Sequence, residues 1–168
     1  MNHQEESVNG IIFSQDRKEV LLVKRRDVPV WVLPGGGIDI NETPEKAITR
    51  EMEEETGYKV TIVRKIAEYT PLNRLAHFTH LFECTITDGK PILTSETQGV
   101  GFFPIHKLPP TPPPYPDWIA DSLEDSLTLL QKPIYSVTYI NLFKHLLLHP
   151  ILVCRFLLAR LGLHINDK

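Results

Sequence analysis

Three glutamates and an arginine lie close together in a segment whose pattern predicts a helix: Arg50, Glu51, Glu54 and Glu55. At 100° per residue, the three carboxylates fall on or beside the face that carries the apolar Met52, whereas an ordinary amphipathic helix places its acids opposite its apolar stripe. Carboxylates turned towards the protein body repel one another and lose hydration. A hard divalent cation offsets both costs, because it prefers several oxygen ligands. The spacing therefore predicts a divalent-cation site, with Arg50 orienting a carboxylate through a charge-assisted hydrogen bond. A solvated acidic helix end is the alternative interpretation.

The helix that must carry these residues has start and stop signals in the sequence. Thr43 suits the N-cap, and Pro44 suits the first helical position. Gly57 suits the C-terminal stop. We therefore predict a helix over residues 44–56.

Short apolar and β-branched runs on either side of this helix predict strands. Residues 7–13 and 20–23 flank a polar turn and are expected to pair as a hairpin. A strand over residues 30–33 ends at Pro34 and three glycines. The remaining strand candidates are 58–66, 81–86 and 101–103.

The C-terminal part of the chain changes in composition. Residues 104–116 hold seven of the fourteen prolines and predict an extended connector. A helix is expected over 117–130, and a very apolar helical segment over 137–163, interrupted at Pro150. We expect a domain over residues 1–132 and a C-terminal apolar helical extension over residues 133–168.

Length and charge exclude some classes of protein. The chain has 168 residues and a net charge of −3, so it lacks the basic field that a partner of duplex nucleic acid needs. Its two cysteines, Cys84 and Cys154, fit no metal-ligand spacing and favour a reduced, cytoplasmic setting. Residues 1–6 are polar, so no secretory signal is expected.

The segment 36–58 resembles the Nudix box, which reads G, five residues, E, seven residues, R-E-U-x-E-E-x-G-U, where U is a bulky aliphatic residue. The matching residues are Gly36, Glu42, Arg50, Glu51, Met52, Glu54, Glu55 and Gly57. Tyr58 stands where an aliphatic residue is usual, which is a conservative change in bulk. Flanking features at 22–26, 31–36 and 96–104 extend the resemblance to about residues 7–130. It implies an α/β (α+β) Nudix fold, a mixed β-sheet sandwiched between helices, here with an extra apolar C-terminal helical tail.

The resemblance also implies the ligands of a cofactor, Mg²⁺ or Mn²⁺. Glu51 and Glu55 would bind the cation, Glu54 would share the site, and the backbone carbonyl of Gly35 would be a further ligand. Glu96 is either an extra ligand or base, or an exposed acid in a polar turn.

The other box residues have supporting roles in similar proteins. Arg50 would hold Glu51, and Glu42 would support the loop or bind a more distant ion. Gly36 and Gly57 are structural. Glu54 and Glu51 are both candidates for the group that takes a proton from water. The sequence does not decide between them, because the carboxylates of a coupled cluster titrate as a unit.

Such a site would hydrolyse a diphosphate linkage attached to a nucleoside, with ADP-ribose, a nucleotide sugar or a nucleoside triphosphate as the small-molecule substrate. Arg25 and Arg26 are candidates for binding substrate phosphate, although exposed arginines are common at strand ends. Trp31 and Phe78 either stack on a base or belong to the core, and the latter is favoured. His77 and His80 have no assigned role.

The C-terminal segment is apolar nearly all the way round its predicted helix, so its side chains are expected to be buried against another surface. Its longest stretch without Lys or Arg, residues 145–154, is shorter than the roughly 20 residues that a membrane span needs. Packing on the domain or in a homodimer is the first interpretation, and membrane contact through an interfacial helix is the second. The alternatives for the whole protein are a membrane-associated Nudix enzyme acting on another diphosphate, and a nucleotide-sensing module without turnover.

Overall fold

Two hydrogen-bonded sheets and four α-helices make up the described part of the chain. A computed structural model describes residues 6–124, 128–148 and 150–160. The strands are β1 (Glu6–Ile11), β2 (Glu19–Arg25), β3 (Trp31–Val32), β4 (Gly35–Gly37), β5 (Tyr58–Thr70), β6 (Phe78–Gly89), β7 (Thr97–Pro104) and β8 (Leu130–Pro133). The helices are α1 (Pro44–Thr56), α2 (Tyr115–Leu123), α3 (Tyr139–Leu148) and α4 (Pro150–Arg160), with a short 3₁₀ turn at Ile105–Lys107.

The larger sheet is mixed, as predicted. Its strand order is β4-β1-β6-β5-β8. The β1–β6 and β5–β8 pairs are parallel, and the others are antiparallel. The smaller sheet, β3-β2-β7, is antiparallel throughout.

The predicted hairpin forms only beside the turn. Phe13 bridges to Val20, the Leu21 N–H donates to the Ile12 carbonyl (2.9 Å), and the Ser14 N–H donates to the Glu19 carbonyl (2.9 Å). The longer parts of the two strands, β1 and β2, enter different sheets. The physical reason is that both edges of β1 are already paired, one with β4 and the other with β6.

Side-chain alternation divides the core into two layers. Ile11, Leu22 and Leu81 face one layer, which includes Trp118 and Ile119 of α2. Their neighbours Ile12, Leu21 and Phe82 face the other, which includes Ala47, Ile48 and Met52 of α1. The strands therefore lie between α1 on one side and α2 on the other.

The helix predicted over 117–130 is only partly correct. α2 ends at Leu123, and Leu130 begins β8, which pairs with β5 in register with Ala67. Residues 125–127 lie outside the described part. The edge of β5 offers unpaired backbone groups, and satisfying them outweighs the weak helical propensity of this segment.

The C-terminal segment forms α3 and α4 within the described residues, and the expected helical residues 161–163 lie outside them. Many of its apolar side chains are exposed, namely Tyr139, Ile140, Phe143, Leu148, Ile151 and Leu157. Neither helix, as far as it is described, has the length and apolar content to cross a membrane. Ile134 and Val137 pack against the α2 side of the core, so the chain still contributes to the domain after the predicted boundary at residue 132.

Candidate active site

Helix α1 carries most of the candidate site, and its ends are where the sequence predicted them. The Thr43 hydroxyl accepts a hydrogen bond from the Lys46 N–H (3.4 Å), and Pro44 opens the helix. Gly57 adopts the left-handed conformation (φ 77°), and its N–H donates to the Glu53 carbonyl (2.9 Å). A Cβ on Gly57 would also lie 2.5 Å from the Lys90 carbonyl oxygen, so only glycine fits there.

Helix α1 lies tightly against β1. A Cβ built on Gly10 would be 2.7 Å from the Met52 sulfur, and Met52 is fully buried. This close packing turns two acids of the same face inwards: Glu55 is 7% exposed, and the Glu51 side chain is 12% exposed. The Glu54 side chain is 60% exposed, so it does not point towards the protein body as the helical projection predicted. Its place at the margin of the apolar face leaves it in solvent.

Glu55 is the most deeply buried acid of the site. One of its carboxylate oxygens accepts a hydrogen bond from the Gly35 N–H (2.8 Å). Burial raises the pKa of Glu55 to about 7, the Gly35 hydrogen bond opposes that rise, and the charge of Glu51 adds to it. A carboxylate this poorly hydrated gains from a cation that replaces its lost water.

The glycine strand β4 leaves room for the carboxylates of α1. Gly35 has a φ of 151°, and a Cβ there would lie 2.1 Å from the Val8 carbonyl oxygen. A Cβ on Gly36 would lie 2.5 Å from a carboxylate oxygen of Glu51. Gly36 must therefore lack a side chain for Glu51 to stay where it is, and Gly35 must lack one for β4 to lie against β1 with its N–H donated to Glu55.

Arg50 forms hydrogen bonds with three of the predicted site residues. Its guanidinium donates to both oxygens of Glu42 (3.0 and 2.9 Å), to Glu51 (2.7 Å) and to Glu54 (3.1 Å). The hydrogen bonds from Arg50 lower the pKa of Glu42. Burial raises the pKa of Glu51, with Arg50 opposing the rise. Arg50 thus connects the loop before α1 to the carboxylates on the helix.

The predicted Glu96 lies on a turn beside the helix. The Glu96 N–H donates to the Thr94 hydroxyl (3.1 Å), and the Thr97 hydroxyl donates to the Glu55 carbonyl (3.0 Å). The charge of Glu96 adds to the raised pKa of both Glu51 and Glu55, because its carboxylate lies near enough for the charges to interact. The side chain itself is exposed.

The two candidate phosphate-binding arginines are engaged with the protein. Arg25 pairs with the Asp27 carboxylate through two nitrogens. The Arg26 guanidinium donates to the carbonyls of Thr94 (3.1 Å) and Thr97 (3.2 Å), on the turn that carries Glu96. The Arg26 contacts tie the end of β2 to the turn that carries Glu96.

The donor set fits a hard divalent cation. Glu51, Glu55 and the exposed carboxylates of Glu54 and Glu96 supply oxygen ligands, as Mg²⁺ and Mn²⁺ prefer. Within residues 6–124, 128–148 and 150–160, no three acidic, histidine or cysteine side chains already converge as a metal cluster. Arg50 holds one oxygen each of Glu51 and Glu54 through hydrogen bonds.

Two buried residues that the sequence pattern did not single out, Asn9 and Thr97, support the site. The Asn9 amide donates to the carbonyls of Leu33 (3.2 Å) and Pro34 (3.3 Å), fixing the turn that leads into Gly35. Thr97, fully buried, holds the end of α1 through Glu55. The available signal for Asn9 was its polar side chain within the otherwise apolar run of residues 8–13.

The aromatic and histidine candidates lie apart from the carboxylates. Trp31 packs edge-on against Phe103, at 4.5 Å between ring centroids, beside the core. Phe78 contacts His80, and the His80 ring pairs with Glu6 (3.0 Å). The His77 carbonyl accepts a hydrogen bond from the Thr79 hydroxyl.

Comparison with known proteins agrees with this geometry. A model of the NUDIX domain matches residues 3–125. The chain belongs to the Nudix family. It is 39% identical over 100 residues to a Bacillus subtilis protein named "Putative 8-oxo-dGTP diphosphatase", with 59% of this chain and 66% of that protein covered. It is 31% identical over 112 residues to a second B. subtilis protein, "Putative ADP-ribose pyrophosphatase YjhB", with 63% and 53% covered. This Nudix chain therefore spans two thirds or less of the length of these curated relatives.

Solved structures share the Nudix fold with this chain. An ADP-ribose pyrophosphatase from Streptococcus suis superposes with a TM-score of 0.64 at 24% identity, covering 77% of this chain and 98% of that one. A UDP-X diphosphatase superposes with a TM-score of 0.68 at 22% identity, covering 77% and 68%. At these identities the likeness concerns the fold alone.

Proposed function

We propose that this Nudix protein is a cytoplasmic pyrophosphohydrolase that cleaves a diphosphate linkage in a nucleoside diphosphate derivative, with Mg²⁺ or Mn²⁺ as cofactor. The observation that carries the proposal is the pair of inward carboxylates, Glu51 and Glu55, held beside Gly35 and Gly36, where a side chain would not fit. Leaving two acids poorly hydrated in this way is costly unless a cation completes the site.

The cofactor would be held by Glu51, Glu54, Glu55, Glu96 and the Gly35 carbonyl. When bound, it would neutralise the charge of the diphosphate and make water more acidic. Glu51 and Glu54 each accept a hydrogen bond from Arg50 on one carboxylate oxygen, which leaves the other oxygen able to bind the cation. Arg50 would keep its two bonds to Glu42 and so remain in place.

The reaction needs a group that accepts a proton from water. Glu54 is exposed to solvent and is our first candidate, with Glu51 as the alternative. The water oxygen forms a bond to one phosphorus, the bond from that phosphorus to the bridging oxygen breaks, and the bridging oxygen leaves with the other phosphate. The proton passes to the carboxylate and then to solvent.

The substrate is proposed by class. Relatives named for 8-oxo-dGTP and for ADP-ribose support a nucleotide with a diphosphate linkage, either a nucleoside triphosphate or an ADP-ribose or nucleotide-sugar type. Arg25 and Arg26 remain predicted contacts of substrate phosphate. To bind it directly, Arg25 would have to share its guanidinium between Asp27 and the substrate.

The test is hydrolysis of a substrate panel by the purified full chain, with and without Mg²⁺ or Mn²⁺. The panel contains ADP-ribose, nucleotide sugars, dinucleoside polyphosphates and nucleoside triphosphates, and products are resolved by ³¹P NMR and anion-exchange chromatography. Glu54→Gln and Glu51→Gln are measured in parallel, and we expect the variant of the proton acceptor to lose roughly 10²–10⁴-fold in kcat.

Glu53→Gln is the matched control, because Glu53 neighbours Glu54 but lies on the opposite side of α1, where its side chain is 58% exposed and close to Lys59. It should hydrolyse substrate at the wild-type rate. Binding of a nucleotide without turnover by the metal-loaded wild type would instead support a sensing module. An equal loss of kcat in Glu53→Gln and Glu54→Gln would remove the basis for assigning Glu54 as the proton acceptor.

A further inference from the structure

The C-terminal helix α4 is attached to the loop that follows β2. The Arg155 side chain donates from Nε to the Asp27 carbonyl (2.7 Å) and from Nη2 to the Arg26 carbonyl (3.1 Å). Val153, on the same helix, is 6% exposed. These contacts join residues that are 128 and 129 positions apart in the chain. Helix α4 is therefore held at the edge of the candidate active site.

The loop that accepts these hydrogen bonds is internally braced. The Arg25 guanidinium pairs with the Asp27 carboxylate, which also accepts the Val28 N–H (2.7 Å). The Arg25 N–H donates to the Val30 carbonyl (3.1 Å). Because these hydrogen bonds restrict the loop, a shift of α4 is passed on to the neighbouring residues and is not absorbed within the loop.

From this loop the hydrogen bonds continue to the turn that carries Glu96. The Arg26 N–H donates to the Glu96 carbonyl (2.8 Å), and the Arg26 guanidinium donates to the carbonyls of Thr94 and Thr97. The Thr97 hydroxyl then donates to the Glu55 carbonyl. One continuous network thus runs from α4 through Arg26 to Glu96 and to the end of α1.

We propose that Arg155 is a positioning residue for the active site, which docks α4 on the 26–27 backbone and thereby fixes the turn that presents Glu96. The proposal deepens the proposed function and rests on it. The two hydrogen bonds of Arg155 end on backbone carbonyls, so through them it acts on the position of the 26–27 backbone. An arginine suits this role because its planar fork reaches two carbonyls at once with charge-assisted hydrogen bonds.

A purely structural role for Arg155 makes a different prediction. If it only attached α4 to the domain, its loss would loosen α4 and lower the melting temperature, while the Glu96 turn would stay as it is. If it positions the turn, the backbone hydrogen bonds of the turn and the affinity of the site for a divalent cation change as well.

The experiment compares the full-length wild type with Arg155→Met, Arg155→Lys and Lys144→Gln. Lys144 is an exposed cation of α3 and controls for the loss of one positive charge. Amide hydrogen exchange reports on Arg26 and on residues 94–97, and electron paramagnetic resonance titration with Mn²⁺ alone reports on the site. Turnover of the best substrate in the panel gives kcat and KM.

We expect Arg155→Met to speed exchange at the Arg26 amide and in residues 94–97 by about tenfold. We also expect it to weaken Mn²⁺ binding by roughly 10-fold, the lower end of the effect of losing support behind a ligand. Loss of kcat should exceed any change in KM. Arg155→Lys should recover part of each effect, and Lys144→Gln should match the wild type.

Faster exchange confined to α4 and residues 26–28, with Mn²⁺ affinity unchanged, would overturn the proposal and leave Arg155 as an anchor of α4. If the wild type hydrolyses nothing in the panel, the proposed function fails, but exchange at 94–97 and Mn²⁺ affinity still decide the role of Arg155. If the wild type binds no Mn²⁺, the proposal is overturned when Arg155→Met leaves amide exchange at residues 94–97 unchanged. Circular dichroism identifies a variant that fails to fold, in which case Arg155→Lys supplies the comparison.

Discussion

Gly36 and Glu51 are in such close contact that a single added carbon cannot fit between them. A Cβ on Gly36 would lie 2.5 Å from one carboxylate oxygen of Glu51 and 2.6 Å from its carboxylate carbon. The glycine at the start of the box therefore sets the position of the carboxylate fifteen residues later in the chain. This gives a direct test of whether the placement of Glu51 matters.

We expect Gly36→Ala to displace the Glu51 carboxylate and to lower divalent-cation affinity and turnover by roughly 10–100-fold, as losses of ligand support commonly do. Mn²⁺ titration and the hydrolysis assay measure both effects. Gly37→Ala is the matched control, because nothing lies within 4 Å of a Cβ at that exposed position. Wild-type cation affinity in Gly36→Ala would contradict the argument.

The buried Glu55 predicts that the metal-free protein is more stable in mild acid. Its pKa in the folded state is about 7, against a usual value of 4.5, and burial is the main cause. Between these two values the folded state holds more protons at this group than the unfolded state, so the free energy of unfolding falls as the pH rises. Chemical denaturation at several pH values in the presence of a chelator measures this slope.

Two comparisons isolate the Glu55 effect. Glu55→Gln should remove the part of the pH dependence that lies between about 4.5 and 7, because the amide does not titrate. Saturating Mg²⁺ should reverse the contribution of Glu55, because a cation binds the charged form. A slope that persists unchanged in Glu55→Gln would assign the titration to another group.

Arg50 should be intolerant even of lysine. Its guanidinium makes a two-point contact with Glu42 and separate contacts with Glu51 and Glu54, and an ammonium group cannot reproduce this planar geometry. We expect Arg50→Lys to lower kcat by about 10-fold or more, as loss of support behind a ligand does. Lys46→Gln, at an exposed position of the same helix, should have no effect. Near-normal kcat in Arg50→Lys would show that charge alone is sufficient.

The exposed apolar side chains of α3 and α4 predict self-association. Ile140 and Phe143 are 69% and 60% exposed, and large exposed apolar side chains that lie together are characteristic of an interface. We expect a homodimer by light scattering coupled to size-exclusion chromatography, and a monomer for Ile140→Glu combined with Phe143→Glu. Val63→Glu, at an apolar position of β5 that is 57% exposed, is the control.

Membrane contact, the second interpretation of this segment, gives a different result. A wild-type monomer that sediments with anionic lipid vesicles, and a double variant that does not, would replace the dimer by membrane binding. A wild-type monomer that does not sediment with vesicles would contradict both self-association and membrane contact.

The elements that the sequence predicted well are those with local causes. The bounds of α1 follow from Thr43, Pro44 and Gly57, which cap the helix through contacts within a few residues. The box residues follow a fixed spacing along that helix, so the family and the mixed sheet between helices could be predicted. The roles of Glu51, Glu54, Glu55 and Glu96 as ligands remain predictions.

Other features depend on partners distant in the chain. Both edges of β1 are paired with β4 and β6, so the predicted hairpin with β2 does not extend beyond the residues beside the turn. Leu130 joins a strand because β5 offers an open edge. No local pattern encodes either pairing, since each competes with a plausible local structure.

The sequence by itself determined the helix, the chemistry of its side chains and the family. The tertiary structure decided which carboxylates are buried: Glu51 and Glu55 face the glycine strand, while Glu54 stays in solvent. It also decided that Arg25 binds Asp27 and that Arg26 binds the turn that carries Glu96. Arg155 docks α4 on the backbone of the same loop. The physical reason is that burial and hydrogen bonding depend on which surfaces pack together, and packing joins segments that periodicity and capping treat separately.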